Sequence, residues 1–190
     1  MKPPLRRSFY ARGTVEVARE LLGKIVAHGR TSGRIVETEA YLGPGDDASH
    51  SARGVTPRTR VMFGPPGHAY VYFIYGMYDC LNIVAESDGV PGGVLIRALE
   101  PLGGLDQMKR RRPAARRLED LANGPGKLTR ALAITLRQNG ADVTQGPITV
   151  HPPDEESPFE IGVSPRIGIS KSADLPLRFF IKGNCCVSRR

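Results

Sequence analysis

Arg34-Ile35-Val36-Glu37-Thr38-Glu39-Ala40-Tyr41 reads as a β-strand, and its alternation decides where the chemistry of this chain lies. Successive strand side chains point to opposite faces, so Ile35, Glu37, Glu39 and Tyr41 are expected on one face. That face would carry an apolar residue, two carboxylates and an aromatic ring. Carboxylates two residues apart repel, and one withdrawn from water becomes a stronger base than free glutamate. A base beside an aromatic platform suits hydrolysis of a flat, ring-shaped substrate. An exposed edge strand with solvated acids has the same pattern, and this segment alone does not separate the two.

Outward from this strand, residues 24–28 form its neighbour through a turn at His28-Gly29-Arg30. Before them a helix is expected over residues 15–22, with Thr14 as N-cap and Gly23 as stop. After it, residues 43–66 are rich in Gly, Pro, Asp, Ser and Arg and nearly aperiodic, and a long loop inside a compact domain tends to be functional. Residues 69–85 and 93–100 are the strongest further strand signals. Helical patterns follow at residues 105–112, 116–122 and 127–138, the last closed by Gly140. Short strands near residues 148–150, 166–169 and 177–181 complete the chain. Strands cluster early without βαβ alternation, which predicts a mixed, largely antiparallel α+β fold. Residues 1–190 are short enough for one domain with one core, and no repeat or linker divides them.

Hydrophobic residues at 40% and charged residues at 24% are ordinary for a globular protein. No run approaches the ~18 apolar residues of a membrane span. The basic start, Met1-Lys2-Pro3-Pro4-Leu5-Arg6-Arg7, has no apolar stretch behind it and is not a secretory signal, so a cytoplasmic location is expected. Cys80, Cys185 and Cys186 lack metal spacing and point to free thiols in a reducing compartment. Lys and Arg number 27 against 19 Asp and Glu, a net charge of +8. Such an excess favours a polyanionic partner, nucleic acid before an anionic membrane face. Lys109-Arg110-Arg111-Arg112 with Arg116 and Arg117 is the densest cluster, suited to phosphates rather than to reading sequence.

Three stretches could carry chemistry. Val94-Leu95-Ile96-Arg97-Ala98-Leu99-Glu100 is an apolar strand with one arginine, which cannot discharge and needs a buried partner; Glu37 or Glu39 is the natural one. Tyr70 to Asn82 holds four of the six tyrosines and reads as a hairpin around Gly76. Tyr75, beside the turn glycine, would protrude, and a protruding aromatic on a basic protein suits a wedge between stacked bases. A two-residue turn at Gly76-Met77 would pair Tyr72 with Leu81 and leave Tyr72 and Asn82 on opposite faces. A three-residue turn would pair Tyr72 with Asn82 on one face, and a shared pocket requires this odd length or a bulge. His50 lies in the polar loop with no second histidine at ligand spacing, so no metal or cofactor is expected. Asn123-Gly124-Pro125-Gly126-Lys127-Leu128 fails the Walker pattern at both ends, and no nucleophile-elbow motif occurs.

In order along the chain, residues 34–41, His50-Ser51, Thr56-Pro57-Arg58, Met62-Phe63, Tyr70-Val71-Tyr72, Tyr75-Gly76-Met77-Tyr78, Asn82 and residues 95–101 resemble the alkyladenine (3-methyladenine) DNA glycosylase family. Gly124-Pro125 with Lys127-Leu128, Arg166-Ile167-Gly168 and Pro176-Leu177-Arg178-Phe179 extend the match over nearly the whole chain. The resemblance implies a curved antiparallel sheet with a hairpin entering the minor groove. It also implies the catalytic set: Glu39 as the base that activates water, with Arg97 and the backbone carbonyl of Ile167 as the water's other anchors. By the same resemblance Tyr41, His50 and Tyr72 wall the pocket of the extruded base, and Asn82 discriminates against the guanine amino group. Tyr75 fills the vacated stack, and Thr56, Arg58 and Met62 contact DNA. The implied partner is double-stranded DNA containing damaged purines, acted on by a monomer.

One carboxylate could suffice because an alkylated purine is already charged and leaves readily, unlike the sugars that require an acid and a base. No lysine lies in the expected pocket segments, which predicts a monofunctional enzyme without a Schiff-base intermediate. The rival reading is a non-enzymatic nucleic-acid-binding module on the same basic surface, and a metal-dependent hydrolase is a third.

Overall fold

Two eleven-residue strands form the spine of the fold. The computed structural model describes residues 1–188, and Arg189 and Arg190 lie outside them. In chain order the elements are α1 (Arg7–Tyr10), α2 (Thr14–Glu20), β1 (Ile25–His28), β2 (Thr31–Tyr41), β3 (Ala69–Ile74), β4 (Tyr78–Val84), β5 (Gly93–Gly103), α3 (Leu105–Arg111), α4 (Pro125–Leu132), β6 (Ile148–His151), β7 (Ile161–Ser164) and β8 (Arg178–Ile181). The strands pair antiparallel in the order β3-β4-β5-β2-β1-β6, with β8 also on β2 and β7 on β8. This is the expected α+β class.

The sheet curls because β2 is shared. β5 runs along one edge of β2, while the other edge is divided between β1, on residues 31–34, and β8, on residues 37–39. At the branch the β2–β5 register shifts twice, leaving Val36 and then Arg97 without a directly paired residue. Such irregularities sharpen local twist and re-aim side chains. Strict alternation therefore fails at this point. Ile35 and Val36 both enter the main core, and Ile35 does not share the face of the two glutamates.

The core lies between the sheet and the helices. Val17 and Ala18 of α2, Leu21 at its end, and Leu128, Ala131 and Leu132 of α4 pack with Ile35, Val36, Ile96 and Leu99. Full burial of each large aliphatic side chain contributes roughly 1.5–3 kcal/mol before ordering costs. In α4 the buried positions recur three and four apart, the stripe that seats a helix on a sheet. No helix among the described residues is long and apolar enough to cross a membrane.

Several local expectations are corrected. Thr14 is the first residue of α2 rather than its N-cap; Glu86, distant in sequence, accepts from its amide and hydroxyl instead. Residues 116–122 hold only a 3-10 turn at Leu118–Leu121. The helix expected over residues 127–138 starts earlier, at Pro125, and breaks at Ala133, whose φ of 56° is left-handed. Residues 166–169 form no strand but a loop over the site, whereas the strand Ile161–Ser164 was not foreseen.

Candidate active site

The register shift at Arg97 turns a guanidinium toward both glutamates of β2. Arg97 Nε donates to Glu37 Oε1 at 3.1 Å, and Arg97 Nη1 lies 3.2 Å from Glu39 Oε1. Both glutamates are 0% exposed. Glu39 Oε1 also accepts from the Ile167 amide at 2.8 Å, and Glu39 Oε2 accepts from the Tyr41 hydroxyl at 2.9 Å. Burial raises the Glu39 pKa above the ordinary carboxylate range and Glu37 adds to the rise, while Arg97, the Ile167 amide and Tyr41 hold part of it back. A carboxylate so placed is a better proton acceptor than a solvated one.

In front of Glu39 lies a cavity of about 480 Å³. Tyr41, His50, Tyr72, Asn82, Arg97 and Ile167, scattered along the sequence, all line it. The His50 and Tyr72 rings meet edge to face at 4.6 Å, and His50 Nδ1 is 3.0 Å from the Tyr70 hydroxyl. Burial, and then the nearby Arg58 charge, lower the His50 pKa, so the ring is neutral at physiological pH. Asn82 Nδ2 donates to the Tyr70 carbonyl at 3.2 Å, which fixes the amide's orientation at the wall.

The hairpin supplies the rim. Ile74 pairs with Tyr78, Tyr72 with Cys80 and Tyr70 with Asn82, so Tyr75-Gly76-Met77 is a three-residue turn. Its odd length puts Tyr72 and Asn82 on one face, as a shared pocket requires. The register differs by two residues from the expected pairing, and Asn82 faces Tyr70 rather than Tyr72. Tyr75 is 73% exposed and sits at φ 54°, a left-handed conformation that costs a non-glycine residue roughly 1–2 kcal/mol.

A buried carboxylate–guanidinium network thus lies behind an aromatic cavity, with an exposed tyrosine on the adjoining hairpin. The family model for methylpurine-DNA glycosylase (MPG) matches residues 8–185. The chain belongs to that family. Relatives named "Putative 3-methyladenine DNA glycosylase" include one from Methanoculleus marisnigri, 53% identical with 98% of this chain and 99% of the relative covered. One from Methanocella arvoryzae is 51% identical, with 99% and 97% covered, and one from Clostridium acetobutylicum 47%, with 97% of each. The chain is thus an enzyme of the DNA glycosylase class, and the reading as a non-enzymatic module is set aside.

Not every residue of the glycosylase stands where the sequence suggested. Ile167 lines the cavity, and its amide donates to Glu39 Oε1. Met62 is 2% exposed, packs with Tyr70 and Val84, and lines the cavity. Thr56 is exposed, but its amide and hydroxyl close a ring with Thr59. Arg58 is exposed with its guanidinium 5.2 Å above the Tyr72 ring, at the cavity mouth. A lysine does line the cavity after all: Lys127 stands where α4 begins, its Nζ donating to Asn123 Oδ1 at 2.7 Å.

Sequence reasoning missed the residues that hold the site's frame. Arg166 is buried against Asp46 through two contacts of 2.6 and 2.7 Å and stacks 4.6 Å from the Tyr41 ring centroid. This pair ties the loop carrying Ile167 to the loop that follows β2. Arg178 Nε donates to Glu37 Oε1 at 2.7 Å. An arginine inside an apolar segment was the usable signal, as it was for Arg97; the Pro176-Leu177-Arg178-Phe179 segment carried it unnoticed.

Proposed function

We propose that this glycosylase excises alkylated or deaminated purines, 3-methyladenine and similar bases, by flipping them from duplex DNA and hydrolysing the N-glycosidic bond with a Glu39-activated water. The observation that carries the reading is the buried Glu39 carboxylate behind a tyrosine-lined cavity whose rim bears the exposed Tyr75. Flipping costs a few kcal/mol, least for a damaged base. Stacking on Tyr41, Tyr72 and His50 returns roughly 1–3 kcal/mol per base, and Tyr75 fills the gap left in the stack. The electron-rich rings attract a cationic alkylpurine, which the neutral His50 does not repel.

The surroundings of Glu39 Oε2 leave it room to accept from a water. Each carboxylate oxygen offers two lone pairs. Oε1 accepts from the Ile167 amide and faces the Arg97 guanidinium at ion-pair distance, whereas Oε2 accepts only from Tyr41 among the described residues. Water donates to Oε2, is deprotonated there, and attacks the sugar carbon as the base leaves. The negative charge of Glu39 also steadies the cationic sugar transition state.

The functional unit is the whole chain, residues 1–190, acting as a monomer on chromosomal DNA in the cytoplasm. Thr56 and Arg58 supply contacts to the strand beside the cavity. The chemistry stops at base release: the amine that lines the cavity, Lys127 Nζ, donates to Asn123 Oδ1, and Glu39 with water carries the attack. The test is incubation with methylated duplex, the released purine being identified by chromatography, together with borohydride trapping. Free 3-methyladenine and no covalent adduct are expected. Intact substrate would overturn the function, and a trapped adduct lost in Lys127→Ala would overturn the monofunctional reading.

A further inference from the structure

Arg97 does not belong to Glu39 alone. Glu37 accepts its Nε at 3.1 Å, the Arg178 Nε at 2.7 Å, and both the amide and the hydroxyl of Ser188 at 2.7 and 2.9 Å. These donors come from β5, from β8 and from the segment that follows β8. Two carboxylates and two guanidiniums thus form a buried set of formally balanced charge, held by hydrogen bonds as such a set must be to persist away from water. Neither glutamate lines the cavity itself; Glu39 bonds to Tyr41 and Ile167, which do, whereas Glu37 is held by Arg178 and Ser188, which lie outside it.

The sharing matters for the base. A guanidinium given wholly to one carboxylate forms a two-pronged, charge-assisted pair that strongly favours the ionised form. Such a carboxylate is a poor proton acceptor. Here Glu37 holds Nε, so only Nη1 reaches Glu39. Ser188 completes the arrangement by fixing both oxygens of Glu37 with two donors.

We propose that Glu37 and Ser188 are positioning residues of the glycosylase reaction: the segment after β8 fixes Glu37, Glu37 fixes Arg97, and the divided guanidinium leaves Glu39 free to take a proton from water. This rests on the proposed role of Glu39 as the base. Ser188 is thereby part of the active site although it lies at the end of the described chain.

The experiment is single-turnover base release from methylated duplex at saturating enzyme, across a pH series, for wild type, Glu37→Gln, Ser188→Ala and Ser188→Thr. Glu37→Gln should move the acidic limb to lower pH, because Arg97 then turns to Glu39 and a repelling charge is gone. Its plateau rate should fall by about tenfold or more. Ser188→Ala should shift the limb in the same direction with about a three- to tenfold loss, one hydrogen bond to a charged group being removed. Ser188→Thr, which keeps the hydroxyl, should recover most of that loss, and affinity for the damaged duplex should be unchanged throughout. If Glu37→Gln does not fold, the Ser188 pair decides. A wild-type pH profile in Ser188→Ala, or a loss explained wholly by less folded enzyme with an unmoved acidic limb, overturns the proposal. A wild type that releases no purine overturns the underlying function as well, and so is told apart from failure of the positioning role.

Discussion

Replacing Arg97 with methionine should destabilise the protein in a way that depends on pH. Glu37 would retain Arg178 and Ser188, but Glu39 would keep only neutral donors, the Ile167 amide and the Tyr41 hydroxyl. Stranding one member of a buried ion pair costs about 3–5 kcal/mol. Glu39 can limit that cost by taking up a proton, at about 1.4 kcal/mol for each pH unit above its ordinary pKa of 4.5. The ceiling is then about 3.4 kcal/mol at pH 7 and about 0.7 kcal/mol at pH 5. The sign follows from a carboxyl whose folded pKa lies above its unfolded one. Below pH 4.5 it is protonated in both states and the penalty vanishes; as pH rises the unfolded chain ionises first and the folded state loses ground. At about 2–4 °C per kcal/mol for a chain of this size, Tm should drop by at most about 7–14 °C at pH 7 and at most about 1.5–3 °C at pH 5. Thermal melts of both proteins at pH 5, 6 and 7 measure this. An offset constant across pH would refute the coupling of Arg97 to a buried, ionised Glu39.

Two other perturbations separate stability from function. Tyr75→Gly should raise stability by about 1 kcal/mol, since glycine tolerates the left-handed turn, yet lower base release from duplex more than from single strands; paired melts and rate assays check it, and equal losses on both substrates would deny Tyr75 the wedge role. Asp46→Asn should loosen the loop bearing Ile167. Asp46 is buried against Arg166, and the contacts with Arg166 and the Leu42 amide outweigh burial to lower its pKa, so its contribution is present above pH 3.8 and lost as pH falls through the depressed value. Faster hydrogen exchange at the Ile167 amide in Asp46→Asn at pH 7 is the expected readout.

What the sequence made legible follows from the range of the forces involved. Strand periodicity reports local burial, so the strands of the first half, the hairpin and the α+β class could all be read from pattern. The Arg97–carboxylate contact was legible because an arginine in an apolar run must find a charge. Pattern cannot report where a strand slips, and the shifts at Val36 and Arg97 removed Ile35 from the predicted face. They also aimed Arg97 at both carboxylates rather than one. Partners brought together by tertiary packing stayed hidden: Glu86 capping α2, Asp46 with Arg166, and Ser188 with Glu37 are 72, 120 and 151 residues apart.

The central claim is that a buried Glu39 turns water into the nucleophile. The direct measurement is base release by Glu39→Gln, an isosteric change that keeps the acceptor oxygen and removes the base, with affinity for damaged duplex measured on the same preparation. The account predicts a rate lower by about 10²–10⁴-fold with affinity within a few-fold of wild type. Release within about tenfold of wild type by a folded, DNA-binding variant would contradict it.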